Sequence, residues 1–74
     1  MLSPAQIKAA RALLEWTQAD LAGRSELSKT ALVNIEGGKS DPRASTLARI
    51  ERVLEEAGIE FTNGDAPGVR LKAP

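Results

Sequence analysis

One stretch of the chain, Thr17–Glu36, constrains the fold more than any other. Its apolar residues cannot all lie on one face of a single helix, because the interval between Leu21 and Leu27 breaks the helical repeat. We therefore predict two short helices joined by a tight turn. Thr17 and Ser28 are suited to begin them, since a hydroxyl can accept a hydrogen bond from an unpaired backbone N–H nearby. Helices of about two turns are unstable alone, so other segments must pack against them.

The residues of this stretch and its flanks resemble those of a known family. The matching positions are Gln18-Ala19, Leu21-Ala22, Leu27-Ser28, Leu32, Ile35-Glu36 and Gly38-Lys39, flanked by Arg11 to Leu14, Asp41-Pro42 and Thr46-Leu47. Over roughly Ile7 to Leu54 the pattern is similar to the helix-turn-helix of the phage repressor and Cro-like family, also called the XRE family. The resemblance implies a compact, mainly all-α domain of four helices that binds double-stranded DNA. A fold alone does not fix function.

Helical patterns also lie on both sides of the central stretch. Ser3 suits an N-cap and Pro4 the first helical position, and the first helix is predicted from Ala5 to about Trp16. A fourth helix is predicted from Ala44 to Ala57, ending at Gly58. The first helix is expected to turn Ile7, Ala10, Leu13 and Leu14 to the core. The rest of the expected core is Leu21, Ala22, Leu32, Ile35, Leu47, Ile50 and Leu54.

After residue 58 the helical repeat gives way to alternation. Ile59 to Thr62 and Val69 to Leu71 alternate apolar and polar residues around a turn-forming segment at residues 63–68, which predicts a small β-hairpin. We therefore expect a helix-turn-helix domain at residues 1–58 and a C-terminal arm at 59–74. The hairpin can either cover one end of the helical core or pair with a second chain. We favour a symmetric homodimer, with contacts from Ile59, Phe61, Val69 and Leu71.

The resemblance also assigns roles in DNA binding to individual residues. It implies that the second helix of the motif, Ser28 to Glu36, lies in the major groove. The side chains expected to touch bases are Ser28, Lys29, Thr30, Val33 and Asn34. Asn34 can bond adenine, Lys29 can bond guanine, and Thr30 or Val33 can contact a thymine methyl group. Phosphate contacts are expected from Gln18, Lys39, Ser40 and Arg43. Without the resemblance, an ordinary polar helix face and a solvated loop would explain the same residues.

Charged residues give the motif two further features, a possible ion pair and an acidic residue in the turn. The resemblance implies an ion pair between Arg11 of the first helix and Glu36 of the third, the alternative being a solvated Arg11. The family usually has glycine in the turn of the motif, whereas this chain has Glu26. A left-handed backbone there would cost roughly 1 kcal/mol, unless the turn is remodelled. Glu26 also places a negative charge near the expected phosphates.

Composition limits the classes of function. Ten Lys and Arg residues balance ten Asp and Glu residues, which argues against a nonspecific binder of polyphosphate. The chain has no Cys and no His, so thiol chemistry and the common zinc ligands and general bases are excluded. We expect no catalytic site, no metal and no cofactor. No apolar run approaches the roughly 20 residues of a membrane span, and no signal-peptide pattern is present, so we expect a cytoplasmic protein without a membrane partner.

Two classes of function therefore stay open, and neither is an enzyme. The one we favour is a sequence-specific transcriptional regulator, a small repressor that occupies its operator. The alternative is an antitoxin-like or adaptor module on the same scaffold, which binds a protein partner through its fourth helix and tail. In that case DNA binding is secondary or lost. The zero net charge and Glu26 keep the alternative open.

Overall fold

The structure, a computed structural model, describes residues 2–62, 64 and 66–72. Within them, helices α1 (Pro4–Leu13), α2 (Gln18–Arg24), α3 (Lys29–Glu36) and α4 (Ala44–Glu56) precede the antiparallel strands β1 (Ile59–Thr62) and β2 (Gly68–Leu71). The predicted fold, mainly helical with a C-terminal β-hairpin, is confirmed. Asn63 and Asp65 of the predicted turn lie outside the described residues. So do Met1, Ala73 and Pro74 at the ends of the predicted domain and arm.

Hydroxyl side chains begin the first three helices at the predicted residues. Ser3 Oγ accepts from the backbone N–H of Gln6 at 3.2 Å, and Gln6 Oε1 accepts from that of Ser3 at 2.9 Å. Thr17 and Asp20 make the same reciprocal pair at the start of α2, at 3.0 and 2.9 Å. Ser28 caps α3 through its hydroxyl at 3.0 Å. These bonds satisfy backbone donors that a helix start leaves unpaired, so the sequence locally fixes where each helix begins.

The backbone turns left-handed just after each helix. The residues concerned are Glu15 (φ 57°), Glu26 (φ 58°), Gly38 (φ 71°) and Gly58 (φ 107°). After α2, the N–H of Leu27 bonds the carbonyl of Ala22 at 2.8 Å, which closes a Schellman turn. The turn of the motif thus has the left-handed backbone conformation that glycine usually adopts there, and this conformation is strained at Glu26. The turn at Glu15 ends α1 at Leu13, earlier than the predicted end near Trp16.

The hydrophobic core joins the helices to the hairpin. Its buried residues are Leu2, Ile7, Ala10, Leu21, Ala22, Leu32, Ile35, Ile50, Leu54 and Ile59. Leu14 and Leu47, which were expected in the core, pack against it half-buried. The prediction for Leu13 is wrong, since its side chain is 42% exposed. At about 100° per residue, Leu13 lies roughly 120° around the helix from Ile7, at the edge of the buried stripe.

The hairpin packs on α1 and α4. Its register pairs Ile59 with Leu71 and Phe61 with Val69, so these four apolar residues share one face. That face lies against the core: Ile59 is fully buried, Phe61 and Val69 are half-buried, and Leu71 is 43% exposed. The hairpin therefore covers one end of the helical core within a single chain. The prediction that Ile59, Phe61, Val69 and Leu71 also contact a second chain stays a prediction.

Candidate nucleic-acid interface

Helix α3 turns one side to the core and the other to solvent. The buried side consists of Leu32, Ile35 and Glu36. The other side consists of the exposed Lys29, Thr30 and Val33 and the half-buried Asn34, with the exposed Ser28 at the start of the helix. At about 100° per residue, the outward positions within the helix fall in an arc of roughly 140°. The five residues predicted to touch bases thus lie together on one surface, which we call the α3 face.

A buried ion pair holds α3 against α1. Arg11 donates from Nε and Nη2 to the two carboxylate oxygens of Glu36, each at 3.0 Å. Arg11 Nη1 also donates to the backbone oxygen of Trp16, at 3.1 Å. Glu36 is only 2% exposed, so its charge is shielded from water. A buried pair of this kind fixes geometry more surely than it adds stability. Of the two alternatives for Arg11, the structure contains the pair.

Gln18 links the start of α2 to the end of α3. Its Nε2 donates to Oε1 of Glu36 at 3.1 Å, so its side chain lies beside the last turn of α3. A primary amide carries two hydrogens, and the second can serve an acceptor such as a phosphate oxygen. The backbone N–H groups at this helix end are also suited to an anion. Gln18 is therefore held in place by the same carboxylate that fixes α3.

The loop after α3 carries the other predicted phosphate contacts. Gly38 takes the left-handed conformation, and the N–H of Lys39 bonds the carbonyl of Asn34 at 2.9 Å, which ends α3 and reverses the chain. The exposed residues that follow include Lys39, Ser40 and Arg43. The loop begins next to Glu36, the residue that Gln18 contacts. Gln18 and the start of the loop therefore lie at the same end of the α3 face.

Charge is unevenly distributed around the α3 face. The exposed Glu26 lies in the turn just before α3, close in sequence to Lys29, so opposite charges offset each other at that end. At the other end, Lys39 and Arg43 flank the exposed Asp41. The face is thus only moderately basic. A zero net charge for the chain is compatible with DNA contact if the cations are placed at specific phosphates rather than spread over the surface.

Sequence reasoning missed a contact that supports the turn. Arg49 of α4 donates from Nη1 to the backbone oxygen of Ser25 at 3.4 Å. The bond joins α4 to the turn between α2 and α3. Because the acceptor is a backbone carbonyl, which every residue possesses, no residue pattern could have signalled the pairing.

The described part of the chain offers neither a metal cluster nor a membrane segment. No group of three or more metal-binding side chains of the types His, Cys, Asp and Glu is assembled among these residues. None of the helices within them is both long enough and apolar enough to cross a bilayer.

Comparison with known proteins agrees with this geometry. A family model described as helix-turn-helix matches residues 7–60, which include most of α1, the whole of α2, α3 and α4, and the start of β1. No curated protein matches the chain. The match covers well over half of the chain and spans every residue of the α3 face together with its supporting ion pair. The chain therefore belongs to the XRE family of helix-turn-helix proteins, a family of DNA-binding regulators.

Proposed function

We propose that this protein is a small repressor that reads the major groove of double-stranded DNA with the α3 face and occupies its operator as a homodimer. The observation that carries the proposal is the α3 face itself, an exposed set of base-compatible side chains on a helix that an internal ion pair holds in place. Preorganised side chains bind with less loss of conformational freedom, so this rigidity favours a specific target.

The side chains of the α3 face differ in what they can read. Asn34 offers a donor and an acceptor that fit N7 and N6 of adenine, and Lys29 can donate to O6 or N7 of guanine. Val33 is 39% exposed and carries no polar group, so its methyl groups suit the methyl group of thymine. Bidentate contacts such as the one from Asn34 discriminate between bases by about 1–3 kcal/mol each. In this proposal, sequence specificity thus resides mainly in Asn34 and Lys29.

Gln18, Lys39, Ser40 and Arg43 set the register on the backbone in this proposal. Contacts to phosphates fix the orientation of a protein on the duplex but carry no sequence information of their own. Gln18 is well suited to such a role, because Glu36 already orients its amide at the end of α3. Lys39 and Arg43 add charge, which makes binding depend on salt.

The first experiment is selection of bound sequences from a pool of random duplex DNA at two salt concentrations. We expect an enriched palindrome whose half-sites are about one helical turn apart, and an affinity that falls as salt rises. Absence of enrichment at both salts, from folded protein, would contradict DNA reading. That result would favour the interpretation in which the scaffold binds a protein partner.

Variants separate base contacts from phosphate contacts. Asn34→Ala should weaken operator binding by about 1–3 kcal/mol and relax the preference at one base pair. Lys39→Ala should weaken binding to all sequences alike and reduce the slope of affinity against salt by about 1. Lys8→Ala is the control, since Lys8 is exposed on α1 and has no assigned contact with DNA. The same loss of affinity from all three variants would argue against the assigned roles.

A further inference from the structure

A groove separates the end of α2 from one side of α4. It consists of two adjoining recesses of about 360 and 320 Å³, and Arg24, Val53 and Glu56 line both of them. The first recess extends to Trp16, and the second extends to Arg49. The residues that line the two recesses are distinct from those of the α3 face. We call the two recesses together the α2–α4 groove.

The α2–α4 groove has an apolar floor and a charged rim. On α4, Arg49, Arg52, Val53 and Glu56 follow one another at intervals of three and four residues, so they lie along one side of the helix. The three charged residues of this line are exposed, whereas Val53 is half-buried and packs against the core. Trp16 is also half-buried against the core. Apolar and charged groups therefore lie side by side in the groove.

Two arginines reach the groove from opposite walls, and each is held by a group that does not neutralise it. The guanidinium carbon of Arg24 lies 4.4 Å from the centre of the Trp16 ring. Arg49 donates from Nη1 to the backbone oxygen of Ser25 at 3.4 Å. In the described part of the chain, neither arginine has a carboxylate oxygen within 4 Å. A ring face and a carbonyl oxygen orient a guanidinium group but leave other N–H donors for an anion.

The charges around the groove favour a single carboxylate over a polyanion. Arg24, Arg49 and Arg52 line the second recess together with Glu26 and Glu56, so positive charge exceeds negative charge by one. Arg52 is already paired with Glu56, with 3.6 Å between its Nε and Oε2 of the glutamate. A run of phosphates would place several negative charges beside the two glutamates. One carboxylate can instead accept parallel hydrogen bonds from a guanidinium group without meeting them.

The shape of the groove suits a segment of polypeptide. Sites for small molecules usually enclose most of their ligand, whereas both recesses are open along the surface. We propose that the α2–α4 groove binds a segment of another protein in which an acidic residue lies close to a large apolar residue. The carboxylate binds between Arg24 and Arg49. The apolar side chain packs on Trp16 and Val53.

A segment bound in this way touches the turn of the helix-turn-helix motif. Glu26, which lines the groove, has the strained left-handed backbone of that turn. Arg49 bonds the carbonyl of Ser25, the residue just before it. The partner therefore contacts the turn that sets the start of α3. The contact itself requires no DNA, so this proposal goes beyond the proposed function and does not depend on it.

The test begins with selection of random peptides of about 12 residues, displayed on phage, against the immobilised full chain, a length that covers the few residues a recognition groove reads. We expect enriched peptides that carry Asp or Glu within about three positions of a large apolar residue. One enriched peptide without tryptophan is then synthesised and titrated up to about 1 mM, because small contacts bind weakly. Trp16 is the only tryptophan of the chain and lies against Arg24, so its fluorescence reports binding.

Variants of the groove decide whether the peptide binds there. Arg24→Gln and Arg49→Gln should each raise the Kd of the peptide about fivefold or more, since each removes a charged donor to the carboxylate. Both side chains are exposed, so the variants should keep wild-type helical circular dichroism. Arg70→Gln is the matched control, because it makes the same change at an exposed position of β2 and should leave the Kd unchanged. A peptide with Asn or Gln in place of its acidic residue should bind as weakly as the two groove variants allow.

Three results would overturn the proposal. One is the absence of enriched peptides from folded protein, and another is equal binding of the acidic peptide and its amide analogue. The third is an equal loss of affinity in Arg70→Gln. Selection on random duplex DNA tests the proposed function separately. An enriched operator without any enriched peptide refutes only the groove, whereas an acidic peptide bound in the groove without an operator refutes only the DNA-binding role.

Discussion

At the scale of single residues, two glutamates hold a backbone conformation that glycine adopts without strain. Glu15 follows α1 with φ 57° and Glu26 follows α2 with φ 58°. A side chain in this region clashes with its own backbone, and the cost is about 1–2 kcal/mol. Both residues are exposed, so neither gains stability from burial in return. The chain thus stores strain at the ends of two helices.

Replacing either glutamate by glycine should relieve this strain. We expect Glu26→Gly and Glu15→Gly each to raise the free energy of unfolding by roughly 0.5–1 kcal/mol, the gain being reduced by the greater freedom of glycine in the unfolded chain. Urea denaturation, followed through the fluorescence of Trp16, measures this change in the free energy of unfolding. Glu26→Gly should also tighten DNA binding, because it removes a negative charge next to α3. Glu15→Gly is the matched control, and an equal effect on affinity would point to net charge rather than position.

Ser25 offers a second test at this scale. It is fully buried, and its hydroxyl oxygen has no hydrogen-bond partner in the described part of the chain. A buried polar group without a partner costs about 1–3 kcal/mol, so Ser25→Ala should stabilise the fold by about 1 kcal/mol. Ser40→Ala, at an exposed loop position, should change stability by less than about 0.5 kcal/mol. A loss of stability in Ser25→Ala would mean that the hydroxyl is bonded in solution.

At the scale of elements, the start of α2 depends on a charged cap. The carboxylate of Asp20 accepts a hydrogen bond from the backbone N–H of Thr17, and this bond, together with the nearby Thr17 hydroxyl, lowers the pKa of Asp20 below its ordinary value of 3.8. A carboxyl group with a lowered pKa stabilises the folded state fully above its unfolded pKa. That contribution is lost as the pH falls through the folded pKa.

Asp20→Asn should therefore be less stable than the wild-type protein at pH 7, and the difference should shrink as the pH falls below about 4. Denaturation midpoints of both proteins at pH 7 and pH 3 measure this difference. An NMR titration of the Asp20 carboxyl group gives the pKa directly. A stability difference that does not change with pH would show that the charge of Asp20 contributes nothing to the cap.

A buried side chain of α1, Gln6, which is 3% exposed, adds hydrogen bonds to the apolar packing between α1 and the hairpin. Its amide reaches the backbone oxygens of both strands, so Gln6→Ala leaves those oxygens with fewer donors. We expect a loss of about 1–3 kcal/mol. In hydrogen exchange, the amides of β1 and β2 should lose more protection than those of α2 and α3. Lys8→Ala is the control on the same helix. Uniform loss of protection would indicate that the hairpin and helices unfold as one unit.

At the scale of the whole molecule, the pair of Arg11 and Glu36 joins the first helix, the α3 face and Gln18. Arg11→Met leaves the buried carboxylate without its cation, which costs about 3–5 kcal/mol. A domain this small has a total stability of about that size, so the variant should be largely unfolded at 25 °C. Glu36→Leu combined with Arg11→Met removes both charges and should restore folding, as circular dichroism and urea denaturation would show.

The same double variant should still bind DNA more weakly than the wild-type protein, because Gln18 loses the carboxylate that orients it. Equilibrium titration with the selected operator measures this affinity. A double variant with wild-type affinity would contradict the role assigned to the ion pair in positioning the interface. A double variant that fails to fold would show that the ion pair also contributes to the stability of the fold.

The sequence by itself determined those features whose interactions are local. Ser3, Thr17 and Ser28 begin helices through bonds to groups three residues away, and the apolar repeat defines the helices between them. The α3 face followed from the family pattern together with this repeat. The left-handed turn at Glu26 was one of two alternatives that the pattern allowed.

Only the tertiary structure decided how distant segments meet. Gln6 bonds Thr62 across 56 positions of the chain, and nothing in the residue types marks that partner. The same packing buries Ile59 in the core, and it leaves Leu13 exposed, against expectation. Periodicity tells which residues share a face of an element, but it does not tell which neighbour covers that face. That choice depends on the fit of the whole core, because each apolar side chain is buried wherever the assembled chain excludes water.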